Sequence, residues 1–229
     1  MAVTTTGVKV RKSHFRYSGT DYFRRDAELV RLVSWGEKRT PLAGINYLSV
    51  QQHIPSSKFK VIKATKVAID FDQKSASELT ADVKPSQLEF AGGSVQETRN
   101  LASKGELKLL MLHVLPNEIM KRINENRALV ETLKNAPNDM RVAHRIWVVM
   151  KAELVDSVDT STDGSVSGTI DGITVGLNGS HRGQSGTRLT IRRGTTFAYA
   201  LGKLVWDADR KSKRTEVVNI KPDDWGMGS

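Results

Sequence analysis

The sequence predicts an α+β fold: a twisted antiparallel sheet with a few short helices and two amphipathic β-hairpin regions. Two runs of alternating apolar residues, 59–72 and 145–155, are typical of strands, because alternate residues of a strand lie on opposite faces. Pro116 opens a stretch with helical spacing, where its missing N–H is tolerated. The composition, 38% apolar and 26% charged, is that of a globular chain, and we expect one domain over residues 1–229.

The first hairpin region covers residues 60–93. Its leading strand keeps apolar side chains at one parity, interrupted by Lys63 and Thr65, and ends at a polar tip over residues 73–78. A return strand and the Gly92-Gly93 turn follow. The apolar face predicted for this hairpin consists of Val67, Ile69, Phe71, Leu79 and Val83.

The second hairpin region covers residues 146–188. A strong strand begins it, and the long Gly/Ser/Thr segment over 160–187 contains a weaker alternation that is too ordered for a plain linker. We interpret that segment as the polar half of the hairpin. The apolar face predicted here consists of Ile146, Val148, Met150, Leu154, Ile173, Val175 and Leu177.

The remaining elements are shorter. Residues 1–20 are expected to be flexible or to form an edge strand, and 26–35 to form a short helix between turn signals. A strand is predicted over 106–115, and two helices follow it, from Pro116 and over 127–135. Strands over 188–191 and 197–206 complete the sheet, and residues 207–229 resemble a charged tail.

Enzymatic and metal sites find no support in the sequence. There are no cysteines, which excludes disulfides and thiolate chemistry, and the five histidines have no metal-ligand spacing. The glycine-rich stretch 179–186 lacks the Gly-Lys-Ser/Thr of a phosphate-binding loop. We therefore expect no enzyme, no cofactor and no metal. No apolar run reaches the length of a spanning helix, and the N-terminus has no signal peptide pattern.

The positive charge is concentrated in the first quarter of the chain. The net charge is +10, and residues 1–60 hold eleven basic side chains against four acidic ones, a net charge of +7. A basic region of this kind attracts polyanions, either nucleic acid or the anionic face of a membrane. Both partners stay open on charge alone.

Three blocks in chain order resemble the N-terminal pore-forming domain of gasdermins. They are LLMLHVLPNEIMKRI at 109–123, RIWVVMKAEL at 145–154 and LTIRRGTTFAYALGKLVW at 189–206. The first is similar to the strand, Val-x-Pro step and helix of that family. The second is similar to the strand that opens the family's second insertion hairpin, and the third to its Gly-Thr-Thr strand pair. The match covers roughly residues 60–210, whereas residues 1–58 match only in their basic character.

The resemblance implies a pore-forming protein that causes lytic, regulated cell death. Many copies would bind acidic phospholipid, oligomerise and insert both hairpin regions as a large β-barrel. The chain would be cytoplasmic when soluble and at the cell membrane when assembled. Residues 1–58 would form the membrane-docking part. The candidates for lipid binding, chosen by character, are Lys9, Arg11, Lys12, Arg16, Arg24 and Arg25.

One departure from the family pattern is the C-terminal segment. Gasdermins usually carry an inhibitory domain there, and the residues after Trp206 are too few to form one. We therefore expect a processed or truncated form, or one of the fungal gasdermin-like regulators of allorecognition, which a related variant protein triggers. The alternatives are a basic nucleic-acid-binding β protein and a self-assembling structural β protein. No aromatic-basic RNA-binding motif is present, so nucleic acid is not the expected partner.

Overall fold

The computed structural model describes strands of a β-sheet and, among its described residues, α-helices at 116–124 and 127–134. The described residues are 9–10, 14–42, 44–54, 59–68, 87, 96–97, 100–101, 104, 106–136, 140–151, 165–169, 172–176, 188–191, 194–207 and 216–223. The predictions for Arg11, Lys12, Ile69, Phe71, Leu79, Val83, Leu154 and Leu177 lie outside these ranges, as do the polar tip over 73–78 and the Gly92-Gly93 turn.

The described strands, labelled in chain order, form one antiparallel sheet. They are β1 (Lys9–Val10), β2 (His14–Tyr17), β3 (Thr20–Phe23), β4 (Ser34–Arg39), β5 (Tyr47–His53), β6 (Phe59–Ala68), β7 (Leu107–Val114), β8 (Met140–Lys151), β9 (Ser165–Thr169), β10 (Gly172–Gly176), β11 (Arg188–Ile191), β12 (Thr196–Trp206) and β13 (Val217–Asp223). The strand order is β1-β2-β3-β12-β8-β7-β6-β9-β10-β11, with β13 beside β12 and the β4–β5 hairpin beside β8. The α+β class is confirmed.

Two short helices follow β7, as predicted. Helix α1 (Pro116–Asn124) begins at the proline, and helix α2 (Arg127–Lys134) is capped by Asn126, whose side chain accepts a hydrogen bond from the Leu129 N–H at 3.1 Å. Each helix buries one apolar stripe in the main core, including Ile123 of α1 and Leu133 of α2. The helices therefore cover one side of the sheet.

The central strands are buried on both sides. Along β8, both Val148 and its neighbour Val149 have no exposed surface, and along β7 the same is true of Leu109 and Leu110. Strands that are covered on both faces have a continuous run of apolar residues in their sequence, because neither face needs polar side chains. Burying one such side chain stabilises the fold by about 1.5–3 kcal/mol, so β7 and β8 anchor the domain.

The connections from β6 to β7 and from β8 to β12 both begin and finish at the same end of the sheet, and the second connection includes β9, β10 and β11. The register pairs Ala68 with Lys108, at the end of β6 and the start of β7. It also pairs Leu107 with Lys151 at the end of β8, and Thr196, at the start of β12, with Val148. The segments 69–106 and 152–195 therefore both begin and finish at one end of the four adjacent strands β6, β7, β8 and β12.

Residues 26–35 are not the predicted helix. They form a single 3-10 turn, Ala27–Leu29, and then enter β4. Asp26 and Val33 have φ of 55° and 60°, in the left-handed region that an α-helix cannot contain. The Val33 conformation is held from two sides, because its N–H donates to the Ala143 carbonyl at 2.8 Å and its carbonyl accepts from Ile54 at 3.1 Å.

The hairpin pattern also differs from the prediction. A register shift between Ala64 and Lys66 pairs Val61 with Val114 but Val67 with Leu109, so the regular pairing of β6 with β7 is interrupted. Strand β8 lies between β7 and β12 and does not pair with β9, which instead pairs with β6. The described part of region 146–188 is therefore not a simple hairpin, whereas the return strand predicted for region 60–93 lies outside the described residues.

The C-terminal residues 217–223 are a strand rather than part of a tail. Strand β13 pairs with β12 from Trp206 to Leu201. The Asn124 side chain fixes its first residue, donating to the Val217 carbonyl at 3.0 Å and accepting from the Val217 N–H at 2.9 Å. The apolar side chains of Val217 and Ile220 are buried in the core.

Candidate functional site

The basic residues predicted to bind lipid differ in how far their side chains are exposed to solvent. Lys9 lies on β1, directly across from Arg16 of β2. The Arg16 side chain is half exposed, with its Nε 3.8 Å from Oδ1 of Asp21. An exposed ion pair of this length contributes little to stability, so Arg16 stays available to an outside anion.

Arg24 is a buried residue, contrary to the prediction that it contacts lipid. Its side chain is only 7% exposed, and its guanidinium carbon lies 4.4 Å from the centre of the Phe197 ring. Arginine stacks well on aromatic faces because its flat cation is weakly hydrated. In this conformation Arg24 therefore joins β12 to the residues after β3 and does not extend to the surface.

Arg25 supports the connection between β4 and β5. Its guanidinium carbon lies 4.4 Å from the Tyr47 ring centre, and its Nη1 donates to the Ile45 carbonyl at 3.3 Å. Its Nε lies 3.7 Å from Oδ2 of Asp26. The role of Arg25 in this structure is to position the β4–β5 connection, in addition to any charge that it presents to solvent.

That connection carries an exposed leucine that sequence reasoning missed. Leu42 is fully exposed, in a turn closed by the Gly44 N–H donating to the Pro41 carbonyl at 3.1 Å. A side chain at Gly44 would meet the Pro41 Cβ at 2.9 Å and Nη1 of Arg25 at 3.2 Å, so the tight turn needs glycine. The available signal was an apolar residue inside a Pro-x-x-Gly turn between two strands. Leu42 thus presents an apolar side chain to solvent in the same turn that Arg25 contacts.

The residues predicted to insert into the membrane are partly in the core. Ile146, Val148 and Met150 are 3%, 0% and 0% exposed, buried in the main core cluster. Val67 lies on β6 opposite Leu109, and Ile173 and Val175 lie on β10 opposite Ile191 and Leu189 of β11. Of the residues predicted to insert, the structure thus places Ile146, Val148 and Met150 in the core of the sheet.

Tyr199 connects the basic region to the core. Its buried hydroxyl accepts a hydrogen bond from the Leu48 N–H at 2.9 Å and donates one to the Arg25 carbonyl at 3.0 Å. Its ring is stacked on Phe23, with centroids 5.5 Å apart. Burial raises the pKa of the Tyr199 hydroxyl well above its usual value, so it remains a neutral hydrogen-bonding group.

A buried ion cluster, also absent from the sequence predictions, holds the end of β13. Oδ1 of Asp223 lies 3.1 Å from Nζ of Lys38 on β4, and its Oδ2 lies 2.6 Å from Nε of Arg141 on β8. The Lys38 and Arg141 side chains are 6% and 5% exposed. One carboxylate therefore ties three strands together through two buried cations.

Catalytic and metal-binding arrangements are not evident in the described ranges. Those ranges contain no group of three His, Asp or Glu side chains able to hold a metal ion. Burial, together with the nearby Arg145 and His113, lowers the pKa of His144 to about 4, so its ring is neutral at pH 7. None of the helices described has the length and apolar character needed to cross a membrane.

Comparison with known proteins does not assign a family: no protein-family model matches the chain, and no curated protein matches it significantly. The resemblance of the three sequence blocks to gasdermins therefore stays a hypothesis. A function has to be inferred from that resemblance together with the geometry of the sheet and its basic surface.

Proposed function

We propose that this chain is a gasdermin-like pore-forming protein that docks on acidic phospholipid, oligomerises and inserts strands into the membrane. The observation that supports it most is the common departure of segments 69–106 and 152–195 from one end of the sheet. If each segment extends the strands that it connects, the extensions of β6, β7, β8 and β12 lie side by side in antiparallel order. Each segment is long enough to supply two spanning strands of about 9–11 residues.

Assembly into a ring follows from the backbone chemistry of a sheet in lipid. Four strands alone would leave two rows of unpaired N–H and C=O groups in hydrocarbon, and each unpaired group costs several kcal/mol. Copies placed head to tail remove every such edge only when the ring closes. The proposed pore is therefore a closed homo-oligomer of many copies.

Insertion would require the release of β9 to β11 from their present positions. Strand β9 now pairs with β6, from Ser165 opposite Ile62 to Gly168 opposite Phe59. The β9–β10 pairing is short, and both strands contain glycine, which weakens a strand. This edge of the sheet is therefore easier to detach than β7 or β8, which are buried on both faces.

We expect the substitution Leu154→Asp to abolish the release of dye from acidic liposomes. Leu154 follows β8 in the predicted inserting segment, and a charge facing lipid costs about 2–4 kcal/mol per subunit at the bilayer centre. Initial binding to vesicles should be unchanged, because docking precedes insertion. Ile69→Asp, in the other segment, should behave in the same way. The measurement is dye release and vesicle co-sedimentation on the same samples.

The matched control is Val218→Asp, which makes a similar change at an exposed position of β13. The Val218→Asp variant should release as much dye as the unmodified protein does. By contrast, Val148→Asp should unfold the domain, because Val148 is completely buried. Normal leakage by both Leu154→Asp and Ile69→Asp would refute insertion of these segments. Salt-sensitive binding of RNA or DNA with no vesicle leakage would instead favour the nucleic-acid alternative.

A second prediction concerns docking. Replacing Arg16 by glutamine should weaken binding to acidic vesicles roughly fivefold, since one cation near an anionic surface contributes about 1 kcal/mol. Replacing Leu42 by serine should weaken it about tenfold, because an exposed leucine gains burial at the interface. Arg127→Gln on the exposed surface of α2 is the control. Equal binding by all three variants would place the docking surface elsewhere.

A further inference from the structure

Three cations lie in one row across three neighbouring strands. Lys203 of β12 is directly opposite Arg141 of β8 on one side and directly opposite Lys221 of β13 on the other. Directly opposite residues have their side chains on the same face, with Cβ atoms about 4.5–5.5 Å apart. Like charges in such positions repel each other, so the row weakens the pairing of β12 and β13 instead of supporting it.

The same face also holds the buried ion cluster. Asp223 is two residues after Lys221 on β13, and it contacts both Arg141 and Lys38. Within the part of the chain that the structure describes, this group thus has four cations and one carboxylate. Arg141 and Lys38 are buried beside that carboxylate, while Lys203 and Lys221 are exposed. The exposed ammonium groups of Lys203 and Lys221 therefore lie on the same face of the sheet as the two buried cations that Asp223 holds in place.

We propose that this row is a binding site for a phosphate group, carried either by a lipid headgroup or by a small soluble molecule. Lys203 and Lys221 would contact the phosphate oxygens, because a lysine ammonium binds phosphate as a point charge. Arg141 and Lys38, held by Asp223, add a positive field from a partly desolvated position, where charges are less screened. A multiply charged phosphate matches the surplus charge better than a single carboxylate does.

The site is separate from the docking residues considered above. Arg16 and Leu42 lie on other elements, β2 and the β4–β5 connection, whereas the row belongs to β8, β12 and β13. The inference also does not depend on pore formation, because phosphate binding can be measured without any membrane. Its failure and that of the pore proposal are therefore distinguishable.

The test is calorimetric titration of the full chain with pyrophosphate at low salt, with the variant Lys203→Gln/Lys221→Gln. We expect the unmodified protein to bind, and the double variant to bind about tenfold more weakly or not at all. The matched control, Lys104→Gln/Lys121→Gln, removes the same charge from exposed positions elsewhere and should bind normally. The melting temperature of the Lys203/Lys221 variant should not fall, because it relieves repulsion, so lost binding cannot be ascribed to unfolding.

The source of the phosphate is distinguished by a second arm, co-sedimentation with vesicles that contain phosphatidic acid. If the Lys203→Gln/Lys221→Gln variant loses binding only to pyrophosphate, the ligand is a small soluble phosphate. If it loses binding only to the vesicles, the ligand is a lipid headgroup. Equal weakening by the two double variants in both arms would overturn the proposal, since it would show a dependence on net charge alone. Absence of binding in both arms would overturn it as well.

Discussion

Replacing Asp223 by asparagine is expected to lower the free energy of unfolding by about 3–5 kcal/mol, the range for a buried ion pair that loses one partner. The carboxylate lies 3.1 Å from Lys38 and 2.6 Å from Arg141, and both cations are almost completely buried. A neutral amide would remove the negative charge that Asp223 supplies to two buried cations. Because the three residues come from β13, β4 and β8, the loss should release the C-terminal strand first.

The measurement is urea unfolding followed by fluorescence, with Asp207→Asn as the matched control. Asp207 follows the other end of the β12–β13 pairing and is exposed, so its replacement should change stability by less than about 0.5 kcal/mol. Replacing Asp223, Lys38 and Arg141 together by apolar residues of similar size should restore much of the loss, because no charge is then left unpaired. A loss below about 1 kcal/mol for Asp223→Asn would contradict the structural role of the cluster.

Elements with a strong local signal were predictable. Pro116 begins α1, and the strands at 107–114 and 196–206 lie within or close to the predicted ranges. Periodicity and proline geometry act over a few residues, which is why the sequence alone is enough for them. The expectation of an edge strand near the N-terminus is also met by β1 and β2, at one end of the strand order.

Features that depend on distant residues were not predictable. The sequence suggests that Arg24 is an exposed cation, whereas in the structure it is buried against the Phe197 ring, far along the chain. The sequence suggests that Asp223 belongs to a charged tail, whereas in the structure it lies beside Lys38 of β4 and Arg141 of β8. The prediction of a helix over 26–35 is wrong for the same reason. The Val33 N–H donates to the Ala143 carbonyl and the Val33 carbonyl accepts from the Ile54 N–H, which fixes Val33 in a left-handed conformation.

The candidate site was predictable only in part. The charge of the first quarter of the chain drew attention to Arg16 and Arg25, whose side chains are partly exposed, and their binding of lipid stays a prediction. The row of Arg141, Lys203 and Lys221 could not be read from the chain, since it exists only once the register of three strands is known. Alternation at Ile146, Val148 and Met150 indicated a strand, but burial on both faces depends on which layers cover it.

Acidification from pH 6.5 to pH 4 is expected to destabilise the fold through His144. Burial, with smaller contributions from Arg145 and His113, lowers its pKa to about 4, against an ordinary value of 6.5. The unfolded chain therefore binds the proton more tightly than the folded one. The stability from this group is complete above pH 6.5 and is lost as the pH falls toward 4, a change of about 3 kcal/mol.

The test is urea unfolding of the unmodified protein and of His144→Gln at pH 7.5 and at pH 4.5. Glutamine keeps a neutral polar group at this position but cannot take up the proton, so the variant should lose less stability between the two pH values than the unmodified protein does. Part of the pH dependence should persist, because burial and Arg145 also lower the pKa of His113. Parallel losses in the two proteins would contradict the prediction, because they would show that His144 takes up its proton equally in the folded and unfolded states.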